Sequence, residues 1–116
     1  MSLKNITTNQ TIIEQVRIAR TPWKKAIGLM FSRKKNHTFA LVFSFPVENR
    51  IISSVHMLFV FYSIDILFLN KEKIVVDKTT LKPFTLNYTP KKAAKHFIEI
   101  PIGLNKKISI GDKINW

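Results

Sequence analysis

Residues 55–69 read VHMLFVFYSIDILFL and form the longest apolar run of the chain. The run is shorter than the roughly 20 residues that a helix needs to cross a bilayer, and it carries the polar residues His56 and Asp65. Short apolar runs rich in aromatic and β-branched side chains are typical of buried strands. We therefore predict two strands, over residues 55–60 and 64–69, separated by a bend at Tyr62 and Ser63.

Shorter apolar segments on either side of this run predict further strands. Residues 11–19 place Ile12, Val16 and Ile18 on one parity, as in a half-buried strand. The other predicted strands cover residues 39–45, which end at Pro46, then 74–77, 97–102 and a final hairpin-like element over 108–114. Residues 1–10 are polar and are expected to form a lead-in or an edge strand.

Two Thr-Pro pairs mark the predicted helices. Thr21-Pro22 and Thr89-Pro90 each place a capping side chain before a proline suited to the first helical position. We predict short helices over residues 21–28 and 89–94. The expected fold is a mainly β, compact single domain over residues 11–116, with about seven or eight short strands and two short helices. Its strands are expected to close, or partly close, like a barrel.

Length and composition limit the class of protein. The chain has 116 residues, which suits a single domain, and it holds no cysteine. The lack of cysteine excludes disulfides, thiolate nucleophiles and thiolate metal sites. The first ten residues lack the apolar stretch of a signal peptide, so we expect a soluble, cytoplasmic protein without membrane insertion. With only three glycines there is no phosphate-binding loop, and we expect no cofactor.

The formal net charge of +12 is the most conspicuous bulk property. It favours binding to polyanions such as nucleic acid or an anionic surface. The excess of Lys over Arg allows a second explanation, in which A/T-rich codons set much of the lysine content. The basic residues fall in two acid-free stretches, which form a polyanion surface if they share one face and are ordinary solvated charges if they do not. The candidate polyanion-binding residues are Lys24, Lys25, Arg33, Lys34, Lys35, Lys91 and Lys92.

Five phrases of the sequence point to a known family. They are GLMF at 28–31, SSVHMLFVFYSIDILFLN at 53–70, LKPF at 81–84, YTPKKAAKHFIEIPIG at 88–103 and IGDKI at 110–114. Their order and spacing resemble the family called domain of unknown function 192, most of all its archaeal branch. The resemblance implies a compact, mainly β domain, and it implies no reaction, substrate or cofactor. Where relatives often have Arg, this chain has Ser32 and Lys25, so an anion contact made by those arginines does not transfer to it.

Asp65 is the most informative single residue. It lies between Ile64 and Ile66, so its carboxylate must be paired, hydrogen-bonded or protonated if the segment is buried. In a functional interpretation Asp65 binds a ligand or transfers a proton in a pocket. In a structural interpretation it holds the backbone N–H groups of a loop or a nearby cation. His56 likewise is either a ligand-binding or titrating group, or an ordinary core histidine.

Metal binding and nucleophilic catalysis lack a complete set of residues. The three histidines, His37, His56 and His96, have no i, i+4 partner, so a metal site would need distant residues. The available set is His56, Asp65, His96 and Glu99, and we expect no metal. A His56–Asp65 pair without a nucleophile falls short of a catalytic triad.

Three hypotheses follow for the function. The first is a non-enzymatic domain that binds a small ligand or a protein partner in a pocket near Asp65 and His56, beside Met30 and Tyr88. The second is non-specific binding to nucleic acid or an anionic surface through the basic stretches. Nucleic acid is the less favoured partner, because most of the aromatic residues lie in apolar runs and are expected in the core, where they cannot stack on bases. The third is an enzyme that uses Asp65 as its acid or base.

Overall fold

The computed structural model describes residues 2–19, 38–49, 62–84 and 88–116, which form eight strands and one 3-10 helix. The 3-10 helix is Leu104–Lys107. The described chain is mainly β, as the sequence predicts. Its strands are β1 Leu3–Asn5, β2 Gln10–Ile13, β3 Val16–Ile18, β4 Ala40–Asn49, β5 Ile64–Leu69, β6 Val75–Leu81, β7 Ala94–Pro101 and β8 Ile114–Asn115.

The strand predicted over residues 64–69 is confirmed as β5, with the same bounds. All of its residues are buried. β5 lies inside a sheet, between β7 and β6, and its side chains enter apolar clusters on both faces of that sheet. A strand that is covered on both faces needs no alternation of apolar and polar residues, which explains its unbroken apolar sequence. The other half of the opening run, residues 55–60, lies outside the described residues.

The described strands form two sheets, so the prediction of a closed or partly closed barrel is wrong for this part of the chain. The larger sheet has the order β3-β4-β7-β5-β6, with β3 parallel to β4 and the other neighbours antiparallel. The smaller sheet is antiparallel and has the order β2-β1-β8. The segment 11–19, predicted as one strand, breaks at Glu14 and Gln15. That break lets β2 join the small sheet and β3 the large one.

Two apolar clusters lie on opposite faces of the five-stranded sheet. One cluster is rich in aromatic side chains, and we call the face that carries it the aromatic face; its members include Phe39, Phe43, Ile64, Ile66, Phe68 and Phe97. The other cluster joins residues of both sheets and forms the inter-sheet core; its members include Leu3, Ile12, Val42, Leu67, Ile98 and Ile114. Successive side chains of a strand point to opposite faces, so β5 and β7 supply both clusters.

The prediction that Ile12, Val16 and Ile18 face the same side is confirmed in spite of the break at Glu14 and Gln15. Ile12 is a buried member of the inter-sheet core, and Val16 and Ile18 pack against the same cluster. Residues 1–10, expected as a lead-in or an edge strand, contain β1, which lies between β2 and β8. Leu3 and Asn5 are both 0% exposed, so this end of the chain is part of the core.

The helix predicted over residues 89–94 is wrong. Residues 91–92 form a bend and β7 begins at Ala94. The Lys91 N–H donates to Asp77 Oδ2 at 3.0 Å, a bond to a distant strand that replaces the bonds of a local helical turn. The helix predicted over residues 21–28 lies outside the described residues.

The end of β4 and the pairing of the last strand also differ from the predictions. β4 continues past Pro46 to Asn49, and its pairing with β7 is irregular between Ser44 and Asn49 because proline has no N–H to donate. The final hairpin over residues 108–114 is wrong, since Ile114 pairs with Asn5 of β1. A local turn signal cannot reveal a strand partner that lies at the other end of the chain.

Candidate functional site

Asp65 accepts hydrogen bonds from the backbone of the segment that follows β7. Its side chain is 1% exposed, and Oδ1 accepts a hydrogen bond from Thr80 Oγ1 at 2.5 Å. Oδ2 accepts from the backbone N–H groups of Gly103 at 2.8 Å and Asn105 at 3.0 Å. Gly103 has a φ of 99°, a left-handed conformation that suits glycine and that turns the chain into the 3-10 helix. This geometry is that of a structural carboxylate.

Asp77 plays a similar part for the segment before β7. Oδ2 accepts from the Tyr88 hydroxyl at 2.8 Å and the Lys91 N–H at 3.0 Å, while Oδ1 accepts from the Lys78 N–H at 2.9 Å. Burial, and then the bond to Asp77, raise the pKa of Tyr88 to about 12. The Tyr88 ring stacks on Phe68 with centroids 5.6 Å apart. The hydroxyl of this predicted ligand-binding residue is thus committed to Asp77.

Asp112 ties the two ends of the chain together. Its Oδ2 accepts from Asn5 Nδ2 at 2.7 Å and from the Ser109 N–H at 2.9 Å. The amide of Asn5 also donates to the Lys107 carbonyl at 3.2 Å. Each of the three buried aspartates therefore receives two or more donors from segments distant in sequence or from the adjoining turn.

The predicted pocket residues fall into two groups. His56 and Met30 lie outside the described residues, as do the predicted polyanion residues Lys24, Lys25, Arg33, Lys34 and Lys35. Tyr88 packs on the aromatic face, whereas Asp65 alternates with Ile64 and Ile66 and faces the inter-sheet core. The five-stranded sheet therefore separates Asp65 from Tyr88.

Glu99 is the buried acid that the sequence interpretation missed, except as one member of a remote metal set. It lies on β7, 6% exposed, opposite Leu41 of β4 and Ile66 of β5. No described residue donates a hydrogen bond to its carboxyl group, and burial raises its pKa to about 8. Glu99 is therefore protonated at neutral pH and can act as a hydrogen-bond donor. The signal was in the sequence, because Ile98-Glu99-Ile100 repeats the pattern around Asp65.

Arg17 lies in the same cross-strand row as Glu99. Arg17 pairs with Leu41, and Leu41 pairs with Glu99. The guanidinium carbon of Arg17 lies 3.9 Å from the centroid of the Phe39 ring, which places this exposed cation on the aromatic face. An open depression of about 300 Å³ adjoins Arg17, lined also by Glu14, Gln15 and Val16. A cation and a neutral acid thus flank Leu41.

His96 and Ser44 form a polar pair on the other face. Ser44 Oγ lies 2.7 Å from His96 Nδ1, and the Trp116 ring meets the imidazole edge-on at 5.2 Å. Burial, with Lys95 and Lys73 nearby, lowers the pKa of His96 to about 4. Within the described ranges no three His, Asp or Glu side chains are placed to share a metal ion. Asp65 and Glu99, two members of the remote metal set, point to opposite faces of the sheet.

We expect the His96 imidazole to titrate with a midpoint near pH 4. A folded-state pKa below the ordinary value of about 6.5 means that the ring is neutral throughout the neutral range. NMR of the imidazole Cε1–H signal across a pH series measures the midpoint. Lys73→Gln should raise it, because it removes a nearby positive charge, and Lys71→Gln should leave it unchanged. A wild-type midpoint near pH 6.5 would contradict this assignment.

The charged side chains are sorted between surface and interior. Among the acids whose side chains the structure describes, Asp65, Asp77, Glu99 and Asp112 are buried, while Glu14 and Glu72 are exposed. The described basic side chains are all exposed or half-buried; they are Lys4, Arg17, Lys71, Lys73, Lys78, Lys82, Lys91, Lys92, Lys95, Lys106, Lys107 and Lys113. The outer surface of the described chain is therefore more basic than the net charge alone indicates.

Four of these lysines border β1 and β8, and we call them the C-terminal lysine group: Lys4, Lys73, Lys107 and Lys113. Lys4 pairs with Asn115, and the Lys113 carbonyl accepts from the Ile6 N–H at 2.8 Å. The Lys73 carbonyl accepts from the Ile114 N–H at 2.9 Å, and Lys73 Nζ lies 3.9 Å from the centroid of the Trp116 ring. No sequence stretch reveals this group, because the fold assembles it from both ends of the chain and from the segment between β5 and β6.

Comparisons with known proteins agree on the family and the fold. Residues 3–116 match the family called domain of unknown function 192, described as "Uncharacterized ACR". A UPF0127 protein of Pyrococcus abyssi is 46% identical over 104 residues, covering 88% of this chain and 86% of that protein. A UPF0127 protein of Pyrococcus furiosus is 41% identical over 114 residues, covering 97% of this chain and 95% of that protein.

Two crystal structures share the fold at low sequence identity. A protein of unknown function from Novosphingobium aromaticivorans gives a TM-score of 0.82 at 20% identity, covering 99% of this chain and 82% of that one. A protein titled "putative transcription regulator" from Sinorhizobium meliloti gives 0.82 at 18% identity, covering 98% and 89%. In the described part of the chain, no helix has the length and apolar character needed to cross a bilayer.

Proposed function

The chain belongs to the family called domain of unknown function 192, and on that premise we propose that it is a binding domain for polyanions, with nucleic acid as the ligand. The binding is electrostatic and independent of base sequence. Its centre is the C-terminal lysine group, Lys4, Lys73, Lys107 and Lys113.

The burial of the acids carries this proposal. Asp65, Asp77 and Asp112 accept hydrogen bonds inside the fold, and Glu99 lies among apolar side chains. Little negative charge is therefore left on the described surface to offset the lysines, so the potential that a phosphate backbone meets is strongly positive. Codon composition explains a high lysine content, but it does not explain why the acids point inward.

The neighbourhood of the lysine group supports a nucleic-acid ligand. The half-buried Trp116 ring lies beside Lys73, and an aromatic ring next to a cation is a common element of nucleic-acid surfaces. Glu72 is the exposed acid next to Lys73 in sequence, while the nearby Asp112 is bonded to Asn5.

We expect the protein to bind any short DNA duplex at about 50 mM salt, with an affinity that falls steeply as salt rises. If the four lysines each neutralise one phosphate, the slope of log affinity against log salt is between about −3 and −4. Fluorescence anisotropy of a labelled duplex across a salt series measures that slope. A slope near zero, or no binding at the lowest salt, would refute the proposal.

A matched pair of double variants locates the surface. Lys107→Gln with Lys113→Gln should make the slope less negative by about 2, because two phosphate contacts are lost. Lys91→Gln with Lys92→Gln removes the same charge from the stretch that the sequence singled out, and should change the slope less. Equal losses from the two pairs would mean that binding depends on net charge, without a centre at the C-terminal lysine group. Vesicles of anionic lipid serve as the competing ligand, and a preference for them over DNA would also contradict the proposal.

A small-ligand site is the second candidate function, and Glu99 is the observation that favours it. The first hypothesis placed the pocket at Asp65, His56, Met30 and Tyr88. The oxygens of Asp65 and the hydroxyl of Tyr88 are engaged within the protein, so their geometry supports structural roles. Glu99 instead offers a buried carboxyl group without a described partner. A pocket on the aromatic face would use this group.

A further inference from the structure

We propose that Glu99 and Arg17 form a binding site for a small organic carboxylate on the aromatic face of the five-stranded sheet. The proposal develops the second candidate function and names the ligand class. The site contains no member of the C-terminal lysine group, so it can be tested independently of nucleic-acid binding.

The cross-strand register brings the two residues within reach of one small molecule. Arg17, Leu41 and Glu99 occupy one row on three neighbouring strands. Strands lie about 4.8 Å apart, so the Cα atoms of Arg17 and Glu99 are separated by about 10 Å. Paired residues of neighbouring strands point to the same face, and the contact of Arg17 with Phe39 fixes which face this is. A small ligand can therefore lie over Leu41 with a polar group on each side.

Glu99 is suited to donate a proton to a ligand in this position. The three buried aspartates of the described chain each receive donors from the protein, whereas Glu99 receives none from the described residues. A carboxyl group that is 6% exposed and has no donor from the described residues costs stability, and such groups are concentrated at functional sites. Because burial raises its pKa to about 8, the carboxyl group keeps its proton at neutral pH. It can share that proton with a carboxylate oxygen of the ligand.

Arg17 supplies the opposite charge. Its guanidinium group is exposed and lies over Phe39, so it can turn to a ligand carboxylate without the burial of a new charge. Guanidinium and carboxylate form strong, charge-assisted hydrogen bonds. The half-buried Leu41 offers apolar surface to a short hydrocarbon or aromatic part of the ligand. The depression of about 300 Å³ beside Arg17 gives solvent access to this end of the row.

The surrounding charges favour an anion over an organic cation. A cationic ligand would compete with the Arg17 guanidinium for the Phe39 ring and would be repelled by the basic surface. Among other charged or titratable groups near the row, Glu14 lines the depression, and Asp77 and Tyr88 are bonded to each other on the next row of the same face. Glu14 is thus the described acid placed to weaken binding of an anion.

Calorimetry and carboxyl-carbon NMR with three probes test the site. Benzoate, benzamide and benzylammonium have similar shapes and different charges. At neutral pH and constant ionic strength, benzoate should produce a saturable shift of the Glu99 carboxyl carbon and should bind much more tightly than the other two. Arg17→Gln should weaken benzoate binding roughly tenfold, as expected for the loss of a charged hydrogen bond.

Variants at Glu99 and Glu14 separate recognition from mere folding. Glu99→Gln keeps a donor of similar shape and should retain benzoate binding within about threefold, whereas Glu99→Leu should abolish it. Glu14→Gln, which alters the adjoining depression, should leave binding unchanged or tighter. Lys107→Gln with Lys113→Gln should leave benzoate binding intact even if nucleic-acid binding is lost.

Three results would overturn the site. The first is the absence of a saturable Glu99 shift with benzoate up to tens of millimolar. The second is tighter binding of benzylammonium, accompanied by a fall in the pKa of Glu99, which would make the site one for amines. The third is equal benzoate binding by wild type and Glu99→Leu, which would place the ligand elsewhere.

Discussion

Replacement of Asp65 with Asn is expected to lower the free energy of unfolding by about 3 kcal/mol. The carboxylate accepts three hydrogen bonds, from Thr80 Oγ1 and from the backbone N–H groups of Gly103 and Asn105. Asparagine has the same shape but is neutral, so the bonds from the backbone N–H groups of Gly103 and Asn105 lose the charge that strengthens them. When its single oxygen accepts from those two groups, its NH₂ group faces Thr80 Oγ1, which must then accept a hydrogen bond instead of donating one. Urea or guanidinium unfolding at neutral pH, followed by tryptophan fluorescence, measures the change.

Two further variants check that the backbone donors carry this effect. Thr80→Val removes one donor and leaves the other two in place, so its cost should be about 1 kcal/mol. Asp77→Asn disturbs a comparable set of bonds at the segment before β7 and should resemble Asp65→Asn. If Asp65→Asn is as stable as wild type within about 0.5 kcal/mol, the structural role of this carboxylate is refuted. A stable Asp65→Asn protein would also leave open the hypothesis that Asp65 acts as the acid or base of an enzyme.

Between about pH 6.5 and pH 8, the free energy of unfolding is expected to fall by about 1.4 kcal/mol per pH unit because of Glu99. The pKa of Glu99 is raised from 4.5 to about 8 in the folded protein by burial. Across this range the folded state holds a proton that the unfolded state has released, so a rise in pH favours unfolding. The loss ends above about pH 8, where the folded group has also lost its proton. Over the window the total is about 2 kcal/mol.

The shifted pKa of His96 explains why unfolding measured below about pH 6.5 says less about Glu99. Its pKa is lowered from 6.5 to about 4 in the folded protein, so between those values the unfolded state holds the additional proton and stability rises with pH. The two groups therefore oppose each other between about pH 4.5 and pH 6.5. Between about pH 6.5 and pH 8, Glu99 is the group that titrates among the described residues with a shifted pKa. Denaturant unfolding curves at a series of pH values give the slope directly.

Glu99→Gln is the decisive comparison for this slope. Glutamine keeps the size and polarity of the side chain but cannot ionise, so the variant should be flat between about pH 6.5 and pH 8. His96→Asn should keep the wild-type slope in that window. An unchanged slope in Glu99→Gln would assign the pH dependence to another group.

The central strand and its acid could be predicted from local sequence. The run at residues 64–69 is apolar enough that burial on both faces follows, and Asp65 within it must find donors. The structural interpretation of Asp65 names the correct kind of partner, the N–H groups of a loop. The match of residues 3–116 to the family also confirms the resemblance carried by the five phrases.

The sheet arrangement could not be predicted, because it depends on pairs far apart in the chain. Asn5 pairs with Ile114, and its side chain bonds Asp112, a separation that no local pattern encodes. The alternation of apolar residues also fails to predict the break at Glu14 and Gln15. Ile12, Val16 and Ile18 face the same core although they belong to two different sheets. The predicted helix over residues 89–94 failed for the same reason, as Asp77 engages the Lys91 N–H.

Glu99 carries the same local sequence signal as Asp65. Isoleucines flank Glu99 in the predicted strand 97–102 as they flank Asp65, but from the sequence Glu99 is named only as one member of a remote metal set. In the fold it lies on β7, between β4 and β5, with 6% of its surface exposed. A carboxyl group between two apolar residues therefore deserves equal weight wherever it occurs in a predicted strand.

The pairing of β1 with β8 has a consequence for synthesis of the chain. β1 leaves the ribosome first among the described strands and β8 last, so the three-stranded sheet cannot be completed until translation has passed Asn115. Until then Leu3 and Ile12 lack the isoleucine that completes their side of the inter-sheet core. Long-range pairing of this kind slows folding and leaves apolar surface exposed on the nascent chain. The growing polypeptide therefore depends most on chaperones in the interval between the emergence of β1 and that of β8.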